Sequence, residues 1–155
     1  MLGGENKDNF RAMRLWGPSP KLASIAVPPI ESLPVVIDGA AGTNMYRFDG
    51  DLSKVEFLKY DVANLAYFIR NQGRSAVIGV GAGRDVLSAW LYGFRDVTGV
   101  EINPIFIQLL TQEPYFSSFC GLNSLKGIKL SIDEGRSWFV GSREKFDLIQ
   151  MSLID

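Results

Sequence analysis

Apolar residues recur at three- and four-residue steps from Ser53 onward, at Val55, Leu58, Val62, Leu65, Ala66 and Ile69. That spacing gathers them on one face of a helix. Ser53 and Glu56 form a capping box at its start, and Gly73 supplies its stop. Beyond Gly73 the rhythm alternates. Short apolar runs, "SAVIGV" from Ser75, "DVTGV" from Asp96, "IKLSI" from Ile128 and "FDLIQMSLI" from Phe146, have the length and composition of strands. Between them helical spacing covers 84–92 and 104–111, with a shorter stretch at 137–140. Asn103 and Pro104 suit the N-cap and first turn of the second of these. Strands alternating with helices predict crossover units, and therefore an α/β fold with a mostly parallel sheet.

Ahead of Ser53, two strand-like runs at 35–37 and 44–48 flank Gly-bearing turn signals at 38–42, which predicts an N-terminal β-hairpin within 35–52. Residues 1–34 hold five of the seven prolines, Pro18, Pro20, Pro28, Pro29 and Pro34. Each proline fixes φ and withholds a backbone donor, so an extended arm is expected there. The remaining stretch, 53–155, reads as the main α/β domain.

Composition narrows the chemistry. At 155 residues, 46% hydrophobic and 21% charged, the chain has enough apolar material for one core and too little length for two. Its 16 basic and 17 acidic residues give no net positive field to collect phosphates, which argues against nucleic acid as a partner. Cys120 is the only cysteine and there is no histidine. An internal disulfide, a cysteine-rich metal site and His-based nucleophile pairs are thereby excluded. Proton work would fall to carboxylates, Lys or Tyr. The start "MLGGENKDNF" lacks the basic-then-apolar order of a secretion signal, and no apolar run approaches the ~20 residues of a membrane span. A cytoplasmic setting is expected.

The candidate chemistry lies at the strand ends. "VIGVGAGRD" sets Gly79, Gly81 and Gly83 between a strand and a helix, where glycine permits a tight turn and close approach of a ligand to the main chain. The dinucleotide fingerprint G-x-G-x-x-G fails in both registers, at Arg84 and at Val86, and no "GK" pair marks a Walker loop. What remains is G-x-G-x-G. Glu101 ends the next predicted strand 22 positions after Gly79, near the ~20-residue spacing at which an acid meets ribose hydroxyls. In "SIDEGRS", at the end of the third strand, Asp133 or Glu134 is placed to accept from an adenine amine or to cap the following helix. Asp85 either faces a helix dipole or meets a ligand amine. Cys120 has no activating partner in "SSFCGLNS" and is assigned no chemistry.

Gly79 to Gly83, Glu101, Asp133 with Glu134, and "FDLIQMSLID" resemble the successive motifs of the spermidine synthase branch of the class I methyltransferase-like fold. The resemblance covers 35–155, because "VVIDG" is similar to that family's N-terminal hairpin. Val77 stands where ordinary methyltransferases carry an acid, which favours the synthase branch. The resemblance implies a Rossmann-like sheet that binds S-adenosylmethionine or its decarboxylated form along Gly79, Val80, Gly81, Ala82, Gly83, Asp85, Glu101, Ile102, Asp133 and Glu134. It also implies methylthioadenosine as a product-like ligand and a small-molecule or polyamine-like acceptor.

Two positions depart from that pattern. Ala82 stands where the synthases hold an amine with Asp. Their Asp-Ser-Ser-Asp loop, whose first Asp is the base, is matched by Ser152, Leu153, Ile154 and Asp155, which leaves Asp155 as the catalytic candidate. The sequence ends just after the strand resembling the family's fourth, so a fragment with an incomplete C-terminal half is expected. The apolar edge at 146–154 would then pair with another chain or be covered by the N-terminal arm. The leading reading is a transferase domain for S-adenosylmethionine or its decarboxylated form. Its alternatives are a degenerate nucleoside-binding or assembly domain and, more distantly, an NAD-binding oxidoreductase domain.

Overall fold

The computed structural model describes residues 13–37, 39 and 41–152. Strands β1 (Ser32–Ile37) and β2 (Ala41–Tyr46) pair antiparallel with Val35 opposite Thr43. The expected hairpin is present, shifted a few residues toward the N-terminus, and Asp38 of its turn lies outside the described residues. Pro34 sits within β1 without breaking it, since a two-stranded sheet consists only of edges and leaves positions where no donor is needed. Before the hairpin the chain turns through a 3-10 helix at Pro20–Ser24, capped by the Ser19 hydroxyl. Met13 and Leu22 are buried in the same core as Met45, Phe48 and Leu58, a burial that the proline-rich composition does not signal.

The continuous helix expected from Ser53 does not form. In its place stand two 3-10 segments, Leu52–Tyr60 and Val62–Asn64, and a single α-helical turn, α1 (Ala66–Ile69). The break falls at Asp61, in an extended conformation. Its carboxylate accepts hydrogen bonds from the backbone N–H groups of Trp16, Gly17 and Ala63. The Val62 N–H donates to Gly17 O and the Ser19 N–H to Tyr60 O. Long-range backbone partners thus replace the i to i−4 bonds a helix would need. The apolar face changes accordingly: Val55 and Leu58 are buried, but Val62 and Ile69 are 60% and 88% exposed while Phe57, Asn64 and Tyr67 turn inward. The cap is Asp51, which accepts from the Ser53 N–H and hydroxyl, and Glu56 pairs with Lys59 instead of closing a capping box.

Strands β3 (Arg74–Ile78), β4 (Asp96–Glu101), β5 (Ile128–Ile132) and β6 (Leu148–Met151) form a wholly parallel sheet in the order β5-β4-β3-β6. Helix α2 (Arg84–Leu91) links β3 to β4, and α3 (Pro104–Thr111) with α4 (Pro114–Cys120) links β4 to β5. Helix α5 (Gly135–Gly141) links β5 to β6. The Asn103 side chain caps α3 as its residue type predicts. Helix α4 has no counterpart in the expected pattern, although Pro114 begins it and Gly121, at φ +62°, ends it. Ala76, Val77, Val97 and Val100 of the two inner strands are buried, as are Val86, Leu87 and Phe94 beside them. This is the two-sided cover a parallel sheet requires. Because β4 and β5 lie on one side of β3 and β6 on the other, the strand order reverses next to β3. In open α/β sheets the carboxyl ends of the strands at such a reversal border a crevice.

Candidate functional site

The crevice is there. A cleft of about 750 Å³ lies across the carboxyl ends of all four parallel strands, within the size range of small-molecule pockets. Its floor includes Ile78 to Gly81 at the end of β3, Glu101 and Ile102 at the end of β4, Asp133 to Arg136 after β5, and Met151 and Ser152 at the end of β6. Its far wall is the hairpin, through Val35, Ile37 and Thr43, with Trp16 beside it.

Glu101 is held by the backbone on both carboxylate oxygens. It is 7% exposed, and each carboxylate oxygen accepts one backbone bond: Oε2 from Gly81 N–H at 2.8 Å and Oε1 from Asn103 N–H at 2.9 Å. A carboxylate has about four acceptor positions. Two are therefore used to fix its orientation, and the remainder have no hydrogen-bond partner among the described residues. The Glu101 carbonyl accepts from Asp133 N–H at 3.0 Å, tying the end of β5 to that of β4.

The glycines divide by role. Gly81, at φ +51°, lines the cleft, and a Cβ built there would meet Thr43, with Cγ2 at 3.5 Å and Oγ1 at 3.9 Å. Gly83, at φ +89°, forms the left-handed entry to α2, and a Cβ there would come within 2.6 Å of Leu122 Cδ1. Ala82 and Gly83 turn from the cleft toward Leu122 and Cys120. Of the expected nucleoside-binding residues, Gly79, Val80, Gly81, Asp85, Glu101, Ile102, Asp133 and Glu134 are brought together around the cleft; Ala82 and Gly83 are not.

The two acids of "SIDEGRS" also separate. Glu134 caps α5: its oxygens accept from the backbone N–H groups of Arg136 and Ser137 and from the Ser137 hydroxyl. Those bonds to the ionised form hold its carboxyl below the usual glutamate range. Among the described residues Asp133 accepts only the neighbouring Glu134 N–H, on Oδ1, and so keeps more acceptor capacity for a ligand. Asp85 is 4% exposed and accepts from Arg84 Nε at 2.8 Å. Ser152 lines the cleft and accepts from the Gln150 amide. Asp155, the catalytic candidate, lies outside the described residues. Burial pushes the Cys120 thiol up, away from the thiolate form. No group of metal-ligating side chains occurs among the described residues, and none of their helices is long and apolar enough to cross a membrane.

Several lining residues had no signal in the sequence. Trp16 and Thr43 reach the cleft only because the N-terminal segment and hairpin fold over the sheet end. Arg84 was visible as a residue that breaks the dinucleotide fingerprint, and its place in the cleft wall is where that break leads.

No family model matches the chain, and no curated protein matches it. Among solved structures the chain is similar to a crystal structure of a "putative RNA methyltransferase" from Pyrococcus horikoshii, with 17% sequence identity and a TM-score of 0.44 over 97% of this chain. The chain spans 58% of the length of that structure.

Proposed function

We propose that the cleft binds the adenosine moiety of S-adenosylmethionine or a close relative, and that the chain is the cofactor-binding part of a transferase. The observation that carries this reading is the Glu101 carboxylate, aimed by the Gly81 and Asn103 amides at the reversal point of the strand order. A carboxylate so held receives two vicinal hydroxyls without having to be reoriented first. Gly81 leaves the main chain open beside it, Ile102 offers an apolar face, and Asp133 offers a free acceptor for an exocyclic amine.

When bound, S-adenosylmethionine supplies a carbon already activated by its sulfonium, so the protein's part is orientation and exclusion of water. The apolar lining from Val35, Ile37, Phe106 and Phe139 suits that exclusion. The spermidine synthase branch, with decarboxylated S-adenosylmethionine as donor and a polyamine-like acceptor, is the finer form of this reading. Ser152 supports a second one, a nucleoside-binding domain without turnover. It lines the cleft where that branch carries its base, and a hydroxyl does not replace a carboxylate as a proton acceptor.

Titration calorimetry with S-adenosylmethionine, its decarboxylated form, methylthioadenosine and NAD tests the proposal. Binding of the sulfur nucleosides is expected, and Glu101→Ala should weaken it by about 1.5–3 kcal/mol, the range for hydrogen bonds to a charged group. A preference for NAD, or an affinity indifferent to Glu101→Ala, overturns it.

A further inference from the structure

Three residues beyond Gly81, Arg84 and Asp85 form a buried ion pair in the wall of the same cleft. Arg84 is 9% exposed and its Nε donates to Asp85 Oδ1 at 2.8 Å. Both residues line the cleft. The Trp16 ring centroid lies 5.8 Å from the guanidinium carbon, a cation–π contact that adds to the pair. A guanidinium has five N–H donors, and only Nε is engaged; neither the terminal nitrogens nor Asp85 Oδ2 has a hydrogen-bond partner among the described residues.

Charges withdrawn from water in this way are costly unless their remaining valences are met. The pair borders one cavity with unmet valences of both signs, and Tyr46 and Asp61 are the further groups that act on the Arg84 charge. The pair is therefore matched to a ligand end that carries a carboxylate and an ammonium together.

Resting on the nucleoside reading above, we infer that Arg84 and Asp85 receive the amino-acid end of the ligand, Arg84 its carboxylate and Asp85 its ammonium. The cleft is thus built for intact S-adenosylmethionine in preference to the decarboxylated form. Loss of the carboxylate removes the partner of Arg84 and leaves a buried guanidinium charge without its counterpart, while the ammonium keeps only its contact with Asp85. This separates the chain from the aminopropyl donor of the family it resembles.

The test is a set of affinities on the full chain by titration calorimetry, with S-adenosylmethionine, S-adenosylhomocysteine, decarboxylated S-adenosylmethionine and methylthioadenosine, which has no amino-acid tail. S-Adenosylmethionine is expected to bind at least about tenfold tighter than the decarboxylated form, as charge-assisted bidentate bonds allow. S-Adenosylhomocysteine should exceed methylthioadenosine, and Arg84→Gln should lower that second ratio at least about fivefold, the contact with Asp85 remaining. Equal or tighter binding of the decarboxylated form, or a homocysteine-to-methylthioadenosine ratio unmoved by Arg84→Gln, overturns the assignment. Circular dichroism checks that the variant folds, and if it does not, the wild-type ratios decide alone. Methylthioadenosine binding that depends on Glu101 while these ratios fail removes only the tail assignment. Failure of all four ligands to bind removes the nucleoside reading with it.

Discussion

Glu101 and the glycines show how far single residues carry the account. The acid was legible from its spacing after Gly79, because a strand end and a ~20-residue interval are local properties. What the sequence did not reveal is that two backbone amides grip its carboxylate, a consequence of the Gly81 turn meeting the end of β4. Likewise "GVGAG" marked a turn but could not say which glycine serves packing and which serves the cleft. The geometry separates them, and substitution should too. Gly83→Ala forces a side chain into the left-handed region and against Leu122, and should cost more than about 1 kcal/mol in urea unfolding. Gly81→Ala is also strained by its φ of +51° but meets only ordinary contact at Thr43, and because Gly81 lines the cleft its methyl should weaken nucleoside affinity by a larger factor than the Gly83 change does. The reverse order of effects would contradict the division of roles.

Elements were legible where their hydrogen bonds are internal. Helix α3 and strand β5 fall on the expected residues, and α2 differs only at its last position, because capping and periodicity decide them locally. The stretch 52–69 was not legible, because its backbone partners Gly17 and Ser19 lie more than 40 positions away in sequence, where no periodicity records them. Asp61 is the hinge of that difference. Asp61→Ala leaves three N–H groups without their acceptor and should lower unfolding free energy by about 2–3 kcal/mol. A variant as stable as the wild type would mean that the N-terminal segment does not hold this region. At the opposite edge, β6 pairs with β3 alone among the described strands, and Ile149 and Met151 are exposed on it. Leu153 and Ile154 of the expected apolar edge lie outside the described residues. Pairing of β6 with a second copy, proposed from this free apolar edge, predicts a dimer in sedimentation equilibrium. A monomer whose β6 amides exchange rapidly with deuterium would refute it.

Across the whole molecule, the alternation of strands and helices was enough to expect a parallel sheet, and the strand order then places every strand's carboxyl end along one cleft. The cover of that cleft was not foreseeable. The hairpin and Trp16 come from parts of the chain read as a turn unit and an extended arm, and only the folded chain brings them over the sheet. The cleft therefore has a floor written in motifs and a wall written in tertiary packing. The most direct test of its role is a crystal structure of the chain soaked with methylthioadenosine. Both ribose hydroxyls should lie within hydrogen-bond distance of the Glu101 carboxylate, with the adenine beside Ile102. A nucleoside bound elsewhere, or in this cleft with its ribose turned from Glu101, would contradict the account.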